Sequence, residues 1–250
     1  MNARVRADQL LVERGLAESR SRAQALIKAG LVFAGEGEGV KVDKPSAQLN
    51  SDVKLSLKGR DHPWVSRGGM KLDHALDHFN IDVTGMTAID VGSSTGGFTD
   101  VLLSRGAAKV YAVDSGTDQL VDKLRYDDRV TVYEQLSARL LTADHIADPV
   151  DIIVCDASFI SLAKVLDVPL GFAARHAKLI ALIKPQFEAE RHEIGKKGVV
   201  KDAAVHDRVC QAVSSWIESQ GWTVIGLTQS PVTGPEGNVE FLIAATRSQS

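Results

Sequence analysis

The chain has 250 residues, 44% of them hydrophobic, two cysteines and a net charge of −3, enough for one sizeable core plus a small satellite domain. It has no run of eighteen apolar residues and no apolar stretch after Arg4 and Arg6, which argues against a membrane span and a secretory leader. Cys155 and Cys210 lack C-x-x-C spacing, so neither a disulfide framework nor a zinc site is expected, and a reducing, cytoplasmic compartment is.

The charge is uneven. Residues 1–60 hold eleven Lys and Arg against seven Asp and Glu, and the remainder eighteen against twenty-five. A small basic module therefore precedes a larger acidic one, which points the first part toward a polyanion. Within it, Asp8 is expected to cap the helix "QLLVER", which Gly15 ends, and Ser19 to cap "RSRAQALIKA", where Ala23, Leu26 and Ile27 recur at helical spacing before Gly30. Arg20, Arg22 and Lys28 fall off that apolar stripe. "LVF" and "VKLSL", flanking the Gly-rich "AGEGEG" and a turn at Pro45, are expected as short strands. On composition alone, three cations on a helix favour a solvated face. The stretch "RADQLLVERGLAESRSRAQALIKAGLV" resembles the S-four-like RNA-binding module, in which a basic helix and a Gly turn contact structured RNA. That resemblance implies RNA contacts by Arg4, Arg6, Arg20, Arg22 and Lys28, and a first domain over residues 1–60.

A linker is expected over residues 61–66, where Pro63 interrupts regular structure and Trp64-Val65 supplies a short apolar anchor. Past Gly68-Gly69 a helix is expected, with Leu72, Ala75, Leu76 and Phe79 on one face and Lys71, His74 and His78 on an adjacent stripe. His74 and His78 have the spacing of a metal pair but no third ligand, so no metal is expected.

From residue 86 strands and helices alternate, as in an α/β fold with a mostly parallel sheet covered on both faces. The expected strands are "TAIDV", "KVYAVD", "VTVYE", "VDIIVCD", "KLIALIKP", "WTVIGLTQ" and "EFLIAATR", a seven-stranded sheet whose last strand inserts antiparallel. "FTDVLLSRG", "GTDQLVDKLRYD", "SFISLAKVLDVPLGFAARH" and "DAAVHDRVCQAVSSWIESQG" are expected as helical or partly helical connections.

In such a sheet the ligand crevice lies at the carboxyl ends of the strands, where "DVGSSTGGF" follows the first one. Small residues let the backbone approach a ligand, and the next helix offers free N–H groups. An NTPase loop would need Lys and then Ser or Thr after its last glycine, but Phe98-Thr99 follow Gly97. A dinucleotide loop would need G-x-G-x-x-G, but the glycines are Gly92, Gly96 and Gly97 with Ser93 and Ser94 between. The stretch resembles instead the S-adenosylmethionine loop of Rossmann-like methyltransferases. The resemblance implies a cofactor site of Asp90, Gly92, Ser93, Ser94, Gly96, Gly97 and Phe98, with Asp90 toward the methionyl ammonium and Asp114, at the next strand tip, on the ribose hydroxyls. A cap for "SGTDQL" is the structural alternative for Asp114.

Amino-directed methyltransferases resemble one another in Asn or Asp followed by Pro-Pro and an aromatic residue after the fourth strand. Here "CDASFIS" keeps Asp156 without the prolines, "LIKPQFE" places Lys184 in the same crevice, "GNVEFLIA" supplies Glu240, and Lys71 comes from the helix before the first strand. Two cations and two carboxylates suit a hydroxyl nucleophile, which needs a base or a cation for its alkoxide. Lys184 is the candidate, with burial and the Lys71 charge expected to lower its pKa; a structural salt-bridge set is the alternative. "WVSRGGMKL", "DVGSSTGGFTD", "DASFIS" and "LIKPQFE", with the N-terminal module, resemble the TlyA family of ribosomal RNA 2′-O-methyltransferases, also known as hemolysins. The resemblance implies a catalytic set of Lys71, Asp156, Lys184 and Glu240 within an FtsJ-like methyltransferase domain over residues 67–250, acting on cytidine ribose in ribosomal RNA or ribosomal subunits. A membrane-active hemolysin and a non-catalytic RNA-binding assembly factor are the competing classes, although no basic amphipathic helix of useful length supports the former.

Overall fold

The computed structural model describes residues 4–28, 30–37, 39–57 and 62–248. The first residue of the expected linker and the last of the helix "RSRAQALIKA" lie outside them. The chain divides into two compact units, 1–63 and 64–250.

In the first unit β1 (Arg4–Arg6) leads directly into α1 (Ala7–Glu13), and α2 (Arg20–Lys28) follows. Then come β2 (Val32–Ala34), β3 (Val40–Lys41), β4 (Gln48–Asn50) and β5 (Leu55–Leu57). β2 pairs antiparallel with β3 and β5, and β1 pairs antiparallel with β4. Leu10, Leu11, Ala23, Leu26, Ile27 and Val32 form the core. Ser19 caps α2 as expected, its Oγ accepting the Arg22 N–H at 3.2 Å. Asp8 does not cap α1. The helix begins at Ala7, two residues earlier than expected, and the buried Asp8 carboxylate instead accepts Nε and Nη2 of Arg6 at 2.9 Å each, Gln24 Nε2 at 2.9 Å and Arg20 Nη2 at 3.3 Å. These donors, Arg6 foremost, hold the carboxyl well below the ordinary range. A guanidinium fork is a stronger partner for a buried carboxylate than one backbone amide.

The second unit starts with α3 (Gly68–His78), then β6 (Thr87–Val91), α4 (Gly97–Ser104), β7 (Lys109–Val113), α5 (Asp122–Arg125), β8 (Val130–Tyr133) and β9 (Val150–Cys155). It continues through α6 (Leu162–Leu166), β10 (Ala173–Ile183), α7 (Pro185–Glu188), α8 (Ala203–Ser219), β11 (Thr223–Gln229) and β12 (Phe241–Thr246). The strand order is β11-β12-β10-β9-β6-β7-β8. The strands from β8 to β10 pair parallel, and β12 is antiparallel to both β10 and β11, as the sequence predicts. The central strands are mostly apolar on both faces because helices cover both faces of the sheet. Ile153, Leu179 and Ile243 face the core beneath α6 and α8, while Ile152, Ile180 and Leu242 face α3 and α4.

Two connections differ from expectation. "GTDQLVDKLRYD" is helical only over Asp122–Arg125. The N–H groups of Asp118, Gln119 and Leu120 bond to the Glu134 carboxylate at 2.9–3.0 Å, so they are held in a loop. "SFISLAKVLDVPLGFAARH" breaks after α6 into a short 3₁₀ turn at Pro169–Phe172, and Ala173 already belongs to β10.

Candidate active site

The chain runs outward from β6 through β7 to β8 and then returns to β9 on the other side of β6, which makes the carboxyl ends of β6 and β9 the switch point. The loop 92–97 leaves β6 there. Gly92 has φ +81°, and a Cβ at this position would stand 2.9 Å from both N and Cα of Ala157, the residue after Asp156. Backbone cannot yield as a side-chain tip can, so only glycine fits. A Cβ on Gly97 would stand 2.8 Å from the Gly69 nitrogen. The start of α3 is therefore pressed onto the glycine loop, and Lys71, two residues further, enters the site.

Lys184 follows β10, and Ile183 pairs with Phe241 of the antiparallel β12. That direction brings Glu240, just before β12, to the same sheet edge as Lys184 and Asp156. The four side chains form one alternating row. Lys184 Nζ lies 2.7 Å from Asp156 Oδ1, Asp156 Oδ2 lies 3.7 Å from Lys71 Nζ, and Lys71 Nζ bonds Glu240 Oε2 at 2.7 Å. Lys184 also donates to the Asp156 carbonyl at 3.0 Å and to Ser158 Oγ at 2.8 Å. These two hydrogen bonds and the ion pair with Asp156 fix the position of Lys184 Nζ. Glu240 is 1% exposed and both lysines are buried. The Lys71 charge is thus separated from Lys184 by a shared carboxylate, rather than adjacent to it as the sequence suggests. Lys71 is also drawn inward, away from the stripe of His74 and His78, whose rings stack on one another at 5.7 Å.

Asp90 is fully buried one residue from the end of β6. Thr99 Oγ1 donates to its Oδ2 at 2.7 Å, while Oδ1 has no partner. Burial, with smaller contributions from Asp156 and Asp114, raises its pKa to about 7. Asp114 accepts the Ser94 N–H at 2.8 Å and the Gly116 N–H at 2.7 Å, which ties β7 to the glycine loop and leaves each oxygen a further lone pair. No helix starts at Ser115, so the capping alternative for Asp114 does not arise. Ser94 Oγ donates to Gln119, Ser93 is buried, and the Phe98 ring lies in the core beneath α4, so Phe98 has only its backbone to offer a ligand. Glu134 braces the opposite rim, its pKa lowered to about 2 chiefly by the Leu120 N–H and also by Arg125. An orphaned buried carboxylate oxygen, a cradle that excludes Cβ atoms and a two-oxygen acceptor on the next strand fit S-adenosylmethionine.

Of the expected RNA contacts, Arg4, Arg20 and Lys28 are exposed on the first unit and Arg6 and Arg22 are half-buried, while Arg6 and Arg20 are drawn to Asp8. Three residues near the row were not singled out from sequence. Ser158 holds Lys184, and Gln186 lies 3.5 Å from Glu240. Phe159 is 90% exposed with φ +65°, its ring 5.0 Å from that of Phe187. All three adjoin "DASFIS" or "LIKPQFE", but a hydroxyl, an amide and an aromatic ring in loops carry no periodic signal.

The chain is similar to several known proteins. The FtsJ-like methyltransferase model matches residues 64–247, and the S4 domain model matches residues 5–35. The 16S/23S rRNA (cytidine-2′-O)-methyltransferase TlyA of Mycobacterium tuberculosis is 45% identical over 97% of this chain and 90% of its own length. Hemolysin A of Brachyspira hyodysenteriae is 39% identical over 95% of this chain and 98% of its own. The solved structure of a hemolysin-named protein from Streptococcus thermophilus superposes with a TM-score of 0.78 at 41% identity, covering 100% of this chain and 90% of that one. The chain belongs to the FtsJ-like methyltransferase family and carries an S4 domain on its N-terminal side.

Proposed function

We propose that this protein is an S-adenosylmethionine-dependent methyltransferase acting on the 2′-oxygen of cytidine ribose in ribosomal RNA. The observation that carries the reading is the row Lys184–Asp156–Lys71–Glu240, set beside a glycine loop that fits the cofactor. The 45% identical relative, a ribosomal RNA (cytidine-2′-O)-methyltransferase by name, supports the substrate. Asp90, the backbone of loop 92–97 and Asp114 would hold the cofactor, which when bound supplies an electrophilic methyl group.

A ribose hydroxyl attacks poorly until its proton is removed or its alkoxide is stabilised. Lys184 is placed to do this, its Nζ fixed by Asp156 and Ser158. Asp156 is fixed in turn by Lys71, and Lys71 by Glu240, so one misplaced member disturbs the whole row. The domains divide the work: residues 1–60 dock on RNA through Arg4, Arg6, Arg20, Arg22 and Lys28, and residues 67–250 carry out transfer, with 61–66 between them. The substrate is ribosomal RNA, free or within ribosomal subunits, and a cytoplasmic location follows from that reading. Among the described residues no helix is long and apolar enough to cross a membrane.

Lys184→Ala and Lys184→Arg test the chemical role. Both variants should bind cofactor normally and fail in transfer, because the interaction operates mainly in the transition state and a guanidinium does not release its proton near neutral pH. An active Arg variant would assign Lys184 an electrostatic role at the alkoxide, and an active Ala variant would remove it from the chemistry.

A further inference from the structure

The stretch Gly195-Lys196-Lys197-Gly198 forms a tight loop between α7 and α8. Gly195 N–H bonds the Val199 carbonyl at 2.9 Å, and Gly198 N–H bonds the Gly195 carbonyl at 3.1 Å. Lys197 holds φ +65° and Gly198 φ +74°, two consecutive left-handed residues. A lysine in that region is strained, and here the conformation turns Lys196 and Lys197 outward; the Lys197 side chain is 78% exposed.

The loop is fastened to the catalytic row. Asn238, itself buried, accepts the Val200 N–H at 3.1 Å and donates to the carbonyls of Gly198 and Pro235, each at 3.1 Å. Asn238 lies two residues before Glu240, and a Cβ on Gly234 in the same segment would stand 2.8 Å from Glu240 Cδ. Both lysines are thus set at a fixed place beside the row, with Lys201 exposed two residues before α8. Among the described residues Lys197 Nζ meets the exposed Glu236 carboxylate at 3.8 Å, a pairing too weak and too solvated to keep it from a phosphate.

We infer that the Gly195–Gly198 loop grips the phosphodiester backbone of the strand bearing the target ribose, with Asn238 holding it in register with Glu240. This rests on the proposed RNA substrate. A close-turning G-x-x-G loop lets backbone and lysines approach phosphates without a side-chain wall, as such loops do in other RNA-binding folds. Glu236 competes with phosphate for Lys197 and moderates the grip.

The test uses the full-length protein with ribosomal subunits from cells lacking it, measuring KM, kcat and subunit binding over a salt series. Lys196→Gln with Lys197→Gly removes both charges while giving the left-handed position a residue that suits it. KM for subunits should rise about tenfold, with kcat within about twofold, and the slope of log affinity against log salt should become shallower by about 1–2. Lys196→Arg with Lys197→Arg should restore affinity, and Glu236→Gln should strengthen binding. Unchanged KM and salt slope in the charge-removed variant of an active enzyme would overturn the grip while leaving the proposed activity intact. If the wild-type protein transfers no methyl group, the proposed activity falls, and the binding slopes alone decide whether the loop holds RNA.

Discussion

Replacing Asp90 by Asn should separate fold stability from cofactor binding at one buried atom. The Asp90 carboxyl has its pKa raised from 3.8 to about 7, chiefly by burial. The folded protein therefore keeps a proton that the unfolded chain has lost between about pH 4 and 7. Stability attributable to this residue is intact below pH 4, declines as pH rises, and is fully lost above 7. At 1.36 kcal/mol per pKa unit the loss is about 2 kcal/mol at pH 5 and about 4 kcal/mol at pH 8. Asn carries no such proton, so the stability gap between variant and wild type should move by about 2–3 kcal/mol in favour of Asn from pH 5 to pH 8. For a unit of this size that corresponds to a change in the Tm difference on the order of 5–10 °C. Cofactor affinity should move the other way. Without the carboxylate the expected ammonium partner is lost, weakening binding by about 10–100-fold. Wild-type binding near pH 6 should also release a proton, seen as a buffer-dependent heat in calorimetry. Thermal scans at pH 5 and 8 with matched titrations check both halves. A Tm gap equal at the two pH values would refute the burial argument, and undiminished affinity in Asp90→Asn would refute the ammonium role.

Gly92→Ala combines a left-handed φ with backbone 2.9 Å from the new Cβ; it should cost about 2–5 kcal/mol by denaturant titration and abolish cofactor binding. Asp8→Asn should destabilise the first unit by about 1–3 kcal/mol at pH 7, a discounted figure because Arg6 and Arg20 are partly exposed. Since the Asp8 pKa is lowered in the fold, its stabilisation is present above about pH 4 and fades below, so the gap to wild type, followed by hydrogen exchange at residues 1–63, should close in acid. Arg22→Glu with Lys28→Glu should weaken ribosomal-subunit binding more at low salt than at high salt, and equal loss at both would count against phosphate neutralisation. Arg20 is left intact in that pair because reversing it would set two carboxylates together at Asp8.

The sheet is legible because its central strands are short runs rich in Val, Ile, Leu and Ala, and the antiparallel last strand because "SPVTGPEGNV" is too short for a crossover helix. The row of Lys71, Asp156, Lys184 and Glu240 follows from that topology: each residue stands at an element end bordering one crevice. Their order is not legible. Which lysine touches which carboxylate depends on how α3 is seated against the glycine loop, a packing detail set by Gly69 and Gly97. Asp8 misleads because a capping acid and a buried acid share one residue type, and only the folded unit brings Arg6, Arg20 and Gln24 around it. The over-extended helix at 116–127 fails for a similar reason, since Glu134 claims its amides from fourteen or more residues away. β1 and β4, at three residues each, are too short to show alternation.

The row beside the glycine loop is expected to methylate a ribose oxygen. Ribosomal subunits from cells lacking the protein, incubated with it and with methyl-labelled S-adenosylmethionine, test that claim when the labelled RNA is hydrolysed in alkali. A methyl group on the 2′-oxygen blocks cleavage of its own linkage, so the label should be recovered in an alkali-resistant dinucleotide containing cytidine, and Lys184→Ala should give none. Label recovered in single nucleotides, with the methyl group on a base, would contradict the account.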